Sequence, residues 1–319
     1  MIKIKSMPED FYVKEIFDIK TNDNGDFSYF LLKKKNLTTS DAIKIICNKI
    51  GLNAKQIGFS GNKDKKAITE QYISIHNLGE KRDFEFHNIS LKFIGFGNRR
   101  INLGSHDSNE FVITVRNLDQ KCPIKPCFII NYFDEQRFSK NNVETGTLIL
   151  QRRFDDVAGL FKANDLNHFR RKNRRLLRFY IHSVQGYIFN QVLSSYLKDK
   201  YKEIKNVKYS LGMYTFVDKR IKNFKLPLVG FDAEIDKRFL KYYNCVMKEL
   251  GIKRADFLIR EMPELIEETV YRNILADVKG FKTIEYSGDE QNNGKFKQTI
   301  SFRLPKGSYA TILIKEYFD

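Results

Sequence analysis

Apolar and polar residues alternate along the first 120 residues of the chain, and this two-residue period is typical of half-buried strands. A helical stripe interrupts the alternation after Thr39 or Ser40, each a suitable N-cap, and ends at Gly51, a favourable C-cap. This part of the chain therefore predicts several strands around one helix. The predicted strands lie at about 2–5, 11–16, 27–32, 57–59, 68–75, 91–94 and 111–115.

Helical periodicity replaces this alternation from about residue 145 to residue 270. It is clearest over 168–190, where apolar side chains form one face and five arginines lie within about 140° of one another on the adjoining face. Further helices are predicted at about 234–250 and 263–276, and a loop is predicted over 203–235. Alternation returns over 296–304. The five arginines are Arg170, Arg171, Arg174, Arg175 and Arg178.

A mixture of strand and helix patterns is followed by a helical region and then by a mixture again. This order predicts one domain inserted into another. The outer domain comprises residues 1–147 and 268–319, and the inserted, mostly helical domain comprises residues 148–267. The predicted fold class is therefore α/β in the mixed, α+β sense.

Charge adds a prediction about partners. The 319 residues include 56 Lys and Arg against 39 Asp and Glu, a net charge of +17. This excess favours polyanions, nucleic acid before acidic membranes. A biased genome can also enrich lysine, so the placement of charge is more informative than its total. The arginine stripe has two interpretations: it binds phosphates, or it is a solvated face neutralised by acids elsewhere.

Several kinds of site find no support in the sequence. The four cysteines lack Cys-x-x-Cys spacing and the five histidines are scattered, so we expect buried, reduced thiols and no metal site. Phosphate-loop and Gly-x-Ser-x-Gly motifs are absent from the sequence. The first residues lack a signal-peptide pattern, and no stretch approaches the roughly 18 apolar residues of a membrane helix. We expect a soluble, cytoplasmic protein that uses no cofactor.

One carboxylate stands out: Asp64 lies among Lys63, Lys65 and Lys66, in a loop between two predicted strands. One interpretation is an ordinary solvated turn. The other is an acid that neighbouring cations keep ionised, available as a nucleophile or a base. The local pattern leaves both interpretations open.

Five segments, in order along the chain, resemble motifs of the TruD family of tRNA pseudouridine synthases. The Asp64 loop, residues 58–71, is similar to the family's Gly-x-Lys-Asp-x-x-Ala-x-Thr-x-Gln motif. Residues 131–138 are similar to its Asn-Tyr-Phe-Gly-x-Gln-Arg-Phe-Gly motif, with Asp134 and Ser139 in place of the glycines. The other segments are Lys5 with Pro8-Glu9-Asp10-Phe11-x-Val13-x-Glu15, Phe189-Asn190, and 304–316, in which Tyr309 replaces Phe and Lys315 replaces Arg.

The resemblance implies a catalytic core with a central antiparallel sheet, which would be the outer domain, and a family-specific TRUD domain inserted in it. It also implies an isomerase that breaks the uridine N-glycosidic bond, turns the base and rejoins it through C5. This reaction takes neither cofactor nor metal. The implied substrate is a uridine in the D-arm of tRNA, position 13, and the implied enzyme is a monomer.

The resemblance further implies roles for individual residues. Asp64 corresponds to the catalytic nucleophile, and Lys5 would be its ion-pair partner. The arginine stripe would hold tRNA phosphates, which positions the RNA without specifying its sequence. Four other residues would stack on the extruded base, wall its pocket or hydrogen-bond its edge. These four are Phe11, Asn131, Phe133 and Tyr309.

Two other functions are weighed against the enzyme. One is a non-catalytic RNA-binding protein or RNA chaperone on the same fold, and the other is a basic protein directed to DNA or membrane surfaces. The intact Asp64 loop favours the enzyme, because a binding module has no need of a lone acid among lysines that attract phosphates.

Overall fold

A computed structural model describes residues 2–123, 125–138, 141–161 and 166–319, with the backbone alone described over 166–173. The chain forms two compact units. Unit 1 comprises Met1–Cys127, Asp277–Ala310 and Tyr317–Asp319, and unit 2 comprises Phe128–Ala276 and Thr311–Glu316. The domain boundaries at 147/148 and 267/268 stay a prediction.

Unit 1 is built on a nine-stranded sheet with the strand order β14-β15-β7-β1-β4-β2-β6-β5, and β3 pairs with β4. The pairs are antiparallel except for β1 with β4. The prediction of a mixed fold with a central antiparallel sheet is therefore confirmed. The strands are β1 (Phe11–Ile16), β2 (Phe27–Lys35), β3 (Ile57–Phe59), β4 (Ile68–His76), β5 (Phe84–Phe86), β6 (Ile89–Gly97), β7 (Ser108–Leu118), β14 (Lys279–Gly288) and β15 (Phe296–Pro305).

Helix α1 (Thr39–Ile50) covers one face of this sheet. Thr38 is its N-cap and accepts a hydrogen bond from the Asp41 N–H, and Gly51 ends it in the left-handed conformation at φ 75°. Its buried stripe, including Ile43 and Ile46, packs on apolar residues of β2, β3, β4 and β6. The helix thus ends at the predicted Gly51 cap, but its N-cap is Thr38 and not the predicted Thr39 or Ser40.

The N-terminal segment differs from the predicted strand at 2–5. Lys3 makes one isolated bridge to Arg116, and Lys5 then takes the left-handed conformation at φ 58°. A non-glycine residue in this conformation interrupts an extended strand. The side chain of Lys5 is consequently placed by a turn of the backbone and not by a strand.

Unit 2 combines helices with three short two-stranded sheets, β9 with β10, β11 with β12, and β8 with β13. Its longest element is α4, in the region of the clearest helical prediction. The elements are β8 (Phe128–Ile130), α2 (Asn142–Leu150), α3 (Phe154–Leu160), α4 (Leu166–Lys200), β9 (Ile204–Tyr209), β10 (Gly212–Val217), β11 (Lys225–Leu228), α5 (Lys237–Glu249), β12 (Val270–Asn273), β13 (Leu275–Asp277) and α6 (Ala310–Tyr317), the last two reaching into unit 1 at their ends.

Two local predictions in this region are wrong. The predicted loop at 203–235 contains β9, β10 and β11, and the predicted helix at 263–276 is a 3-10 turn followed by β12 and β13. Four consecutive residues of β10 are buried, so this strand lacks the alternation that identifies strands in a sequence. The strands β12 and β13 are short and pair with strands that precede them by more than 40 residues, so tertiary pairing overrides the local pattern.

Two further observations concern the cysteines and the length and hydrophobicity of the helices. The four cysteines are free, but Cys127 and Cys245 are exposed, so the expectation of buried thiols is wrong for these two. Among the described residues, none of the helices has the length and apolar character that crossing a membrane requires.

A buried carboxyl group lies in α6. Glu316 Oε2 accepts a hydrogen bond of 3.0 Å from the Ile130 N–H. Burial raises the pKa of Glu316 from 4.5 to about 8, although this hydrogen bond and the charge of Lys205 oppose the increase. Glu316 is therefore mostly protonated at neutral pH in the folded protein and ionised in the unfolded chain.

This pKa predicts how stability changes with pH. The folded state binds more protons than the unfolded state between pH 4.5 and about 8. The free energy of unfolding should therefore fall as pH rises through this range, by up to about 1.4 kcal/mol per pH unit. Glu316→Gln should remove this contribution, whereas the exposed Glu203→Gln should retain it. Urea unfolding of the three proteins at pH 5, 6.5 and 8 tests this; parallel pH dependences would contradict it.

Candidate active site

The loop that carries Asp64 joins β3 to β4, and buried polar groups hold its backbone. The Lys63 N–H donates to Thr39 Oγ1 at 2.9 Å. The Thr39 hydroxyl in turn donates to Gln71 Oε1 at 2.9 Å, and Gln71 Nε2 donates to the Gly61 carbonyl at 3.1 Å. The beginning of α1 and strand β4 thus fix the backbone before Asp64, which is not the arrangement of a freely solvated turn.

Asp64 forms an ion pair with Lys5. The distance between Lys5 Nζ and Asp64 Oδ2 is 2.6 Å, and the two side chains are 13% and 36% exposed. The same ammonium lies 4.1 Å from the centre of the Phe11 ring. Phe11 is itself buried and packs edge-on against Phe111. The geometry therefore gives Phe11 a contact with the cation that pairs with Asp64.

The three lysines beside Asp64 are not equivalent. Lys65 and Lys66 are exposed, whereas Lys63 turns inward and pairs with Glu15 at 2.5 Å. The second carboxylate oxygen of Glu15 accepts a hydrogen bond from the Tyr72 N–H at 3.1 Å. Tyr72 lies on β4 between the segment paired with β1 and the segment paired with β3. The Glu15 carboxylate therefore supplies an acceptor for an N–H that neither neighbouring strand pairs with.

A fourth lysine lies beneath the loop. Lys34 is 1% exposed, and its Nζ donates to the carbonyls of Leu37 at 2.6 Å and of Asp64 at 3.0 Å. Burial lowers the pKa of Lys34 from 10.5 to about 8, and the nearby charge of Asp64 acts in the opposite direction. The ammonium is thus held by main-chain oxygens inside the fold.

The sequence motifs assign no role to Glu15 or Lys34, although the two-residue period of their strands contains a signal for both. In β1 the buried positions are Phe11, Val13 and Glu15. In β2 they include Phe30, Leu32 and Lys34. In each strand a charged residue continues an apolar stripe, and a charge at such a position requires specific partners.

Unit 2 contains two of the predicted base-contacting residues. Asn131 donates to the Asn273 carbonyl at 3.0 Å and accepts at Oδ1 from Arg272 at 2.6 Å. Phe133 is buried, with the Arg272 guanidinium 4.1 Å from its ring centre. The Asn190 side chain hydrogen-bonds both the N–H and the carbonyl of Phe133 at 2.9 Å. Two of the resembling motifs, 131–138 and 189–190, therefore meet here.

The remaining predicted residues differ in their surroundings. Tyr309 is half-buried directly before α6, and Arg174 and Arg175 are exposed on α4. Arg178 is not free: its Nε lies 2.7 Å from Glu267, and its Nη2 donates to the Glu264 carbonyl at 2.6 Å. The side chains of Arg170 and Arg171 lie outside the described residues.

This arrangement suits acid–base or nucleophilic chemistry at a carboxylate. Asp64 is partly exposed, is paired with a cation and belongs to a fixed loop, which are the features of a positioned anion. In the described part of the chain, no cluster of three or more His, Cys, Asp or Glu side chains could hold a metal ion.

Comparison with known proteins identifies proteins to which this chain is similar. A family model described as tRNA pseudouridine synthase D (TruD) matches residues 1–168 and 162–317. The tRNA pseudouridine synthase D of Aquifex aeolicus is 29% identical, over 99% of this chain and 98% of that protein. The "Probable tRNA pseudouridine synthase D" of Nanoarchaeum equitans is 31% identical over the same shares.

A solved structure shares the fold. It is that of a candidate tRNA pseudouridine synthase D (TruD) from Methanosarcina mazei, with a TM-score of 0.67 at 23% identity, over 98% of this chain and 92% of that chain. These matches define the class of protein as an isomerase of the pseudouridine synthase type. The chain belongs to the tRNA pseudouridine synthase D (TruD) family.

The Glu15–Lys63 pair generates a prediction about stability. Both side chains are buried, so removing the charge of one leaves the other without compensation. Glu15→Gln should lower the free energy of unfolding by about 3 kcal/mol. The double change Glu15→Leu/Lys63→Met should recover part of this loss, because it removes both charges.

Urea unfolding measures these effects, with Asp23→Asn in an exposed loop as the control for loss of one carboxylate. If Glu15→Gln were as stable as this control, the pair would have no structural role.

Proposed function

We propose that the protein converts uridine 13 in the D-arm of tRNA to pseudouridine, with the ionised carboxylate of Asp64 as the catalytic nucleophile or base. The observation that carries the proposal is the 2.6 Å ion pair of Asp64 with Lys5, in a loop whose residues match the family's nucleophile motif. Membership of the TruD family supports the reaction, and the net charge of +17 supports an RNA substrate.

The reaction conserves the atomic composition of the nucleoside. The N1–C1′ bond breaks, the base turns, and a C5–C1′ bond forms; the hydrogen of C5 is lost and N1 gains one. An isomerisation of this kind needs a nucleophile or base and a means of moving protons, but no oxidant or added group. An ionised carboxylate can attack the nucleotide or abstract a sugar proton, and Asp64 suits either step.

The uridine must leave its stack before Asp64 can reach it. We propose that Asn131 exchanges its hydrogen bonds to Asn273 and Arg272 for hydrogen bonds to the uracil edge, because an amide offers both a donor and an acceptor. We propose that Phe133 and Tyr309 contact the faces or edges of the base. Phe11 has a different part in this proposal: its ring contacts the Lys5 ammonium, so it holds the ion-pair partner of Asp64.

The tRNA backbone requires cations at the surface. Arg174 and Arg175 are exposed on α4 and can form charge-assisted hydrogen bonds with phosphates. Arg178 already has a carboxylate partner in Glu267, which favours a structural role for this member of the stripe. We propose Arg174 and Arg175 as phosphate contacts, with the protein acting as a monomer in the cytoplasm.

Asp64→Asn tests the proposed chemistry. The amide keeps the size of the side chain but removes its charge and nucleophilicity, so pseudouridine formation on tRNA should fall by about 10³-fold or more. Binding of tRNA should change little, because the proposed phosphate contacts lie elsewhere. Tritium release from C5-labelled tRNA measures the first quantity and filter binding the second.

The control is Asp23→Asn, which makes the same chemical change in an exposed loop and should keep the wild-type rate. Wild-type activity of Asp64→Asn would refute the assigned role. Loss of binding together with activity would show that RNA recognition is what the substitution impairs.

Arg174→Ala/Arg175→Ala tests the phosphate contacts. Each lost contact should reduce the slope of log K against log salt by somewhat less than one, so we expect a slope smaller by up to about two. The charge-matched control is Lys237→Ala/Lys248→Ala, two exposed lysines of α5. Equal salt slopes for the two double variants would assign Arg174 and Arg175 to an ordinary solvated face.

A further inference from the structure

Lys34 occupies an unusual position for an ammonium group. It continues the buried stripe of β2 and is 1% exposed, yet the two hydrogen bonds found for its Nζ go to main-chain carbonyls, of Leu37 and Asp64. Burying a charge among neutral acceptors costs free energy that an apolar side chain would avoid. A lysine at this position therefore points to a role beyond packing.

The partners of this ammonium connect two segments around the proposed reacting group. The Leu37 carbonyl belongs to the turn between β2 and α1, and the Asp64 carbonyl belongs to the loop between β3 and β4. One cation thereby joins the main chain of Asp64 to the central sheet. Because the carboxylate is two bonds from its own Cα, the orientation of its main chain limits where its oxygens can lie.

We propose that Lys34 is a positioning residue for the isomerisation: its ammonium holds the Asp64 main chain and places a buried positive charge near the Asp64 carboxylate. The inference rests on the proposed function of Asp64. It gives the acid two cations with separate parts: Lys5 bonds the carboxylate directly, and Lys34 acts through the backbone and through its field.

The charges that act on Lys34 come from the Asp64 loop and from α1. Asp64 in the loop and Asp41 in the first turn of α1 favour its protonated form, and Lys63 in the loop opposes it. Burial is the largest influence and lowers the pKa of Lys34 to about 8. The charge of Lys34 is therefore lost as pH rises through about 8, within the range in which an enzyme can be assayed.

Activity and stability should respond to this titration in opposite directions. A neutral amine is a weaker hydrogen-bond donor than an ammonium, so loss of the charge weakens the hold of Lys34 on the Asp64 carbonyl, and the rate should fall above pH 8. The unfolded chain binds more protons at this lysine than the folded state does between about pH 8 and 10.5, so its contribution to the free energy of unfolding rises over that range. A fall in rate from simple unfolding would not show this combination.

Lys34→Met provides the main test, because Met has a similar shape and no charge. The rate constant kcat should fall by about 10- to 100-fold, the expected range for misplacement of a reacting group by about 1 Å. KM for tRNA should stay within about twofold of the wild-type value, because Lys34 is buried and contacts no RNA. The decrease in kcat near pH 8 should disappear.

Two further variants make the test specific. Lys33→Met removes the adjacent lysine of β2, which is exposed and lies 3.4 Å from Glu70, and should keep the wild-type kcat and pH profile. Lys34→Arg keeps the charge at all accessible pH values, so it should restore part of kcat and shift the alkaline decrease upward. Thermal unfolding of each variant over the same pH range monitors the fold.

The outcomes are separable. Wild-type kcat and an unchanged pH profile in Lys34→Met would refute the positioning role while leaving Asp64 in place. Full activity of Asp64→Asn would instead refute the proposed function itself. If Lys34→Met does not fold, the pH dependence of kcat in the wild-type enzyme provides the test. A constant kcat from pH 7 to 9.5 in folded protein would refute the inference. A decrease near pH 8 would support it.

Discussion

The structure around Asp64 depends on the pairing of β4 with three other strands. One edge of β4 pairs with β2, and its other edge pairs first with β1 and then with β3. The loop of Asp64 leaves β3 at the point where the partner of β4 changes from β1 to β3, and the carboxylate of Glu15 accepts a hydrogen bond from the Tyr72 N–H there. The sheet register therefore fixes where the loop leaves, and the loop fixes where Asp64 lies.

Buried charged side chains near the Asp64 loop are stabilised in two different ways. Glu15 and Lys63 compensate each other directly, which makes the pair a structural support of the loop. The Lys34 ammonium donates hydrogen bonds to two carbonyl oxygens. Among the described residues, no carboxylate forms an ion pair with it. A buried cation stabilises anions nearby, and Asp64 is the anion whose main chain it contacts.

The sequence predicts the sheet, α1 and the Asp64 loop because each depends on a local period, a cap or a turn. It does not predict β10, whose consecutive burial hides its period, or β12 and β13, whose partners are remote in sequence. It identifies Asp64 through a motif, but not Lys34, because three successive lysines in β2 resemble an exposed strand end. The middle lysine continues the apolar stripe of Phe30 and Leu32, but the charged residues on either side of it hide this period.

Helix α4 shows why total charge is a poor guide to an RNA-binding surface. Arg174 and Arg178 are one turn apart and share a helix face, so a helical wheel treats them alike. Arg178 nevertheless pairs with Glu267, whereas Arg174 is exposed. A carboxylate almost 90 residues away along the chain thus decides which arginine has charge to offer a phosphate. The attraction of this protein for polyanions depends on the cations that its own fold leaves uncompensated.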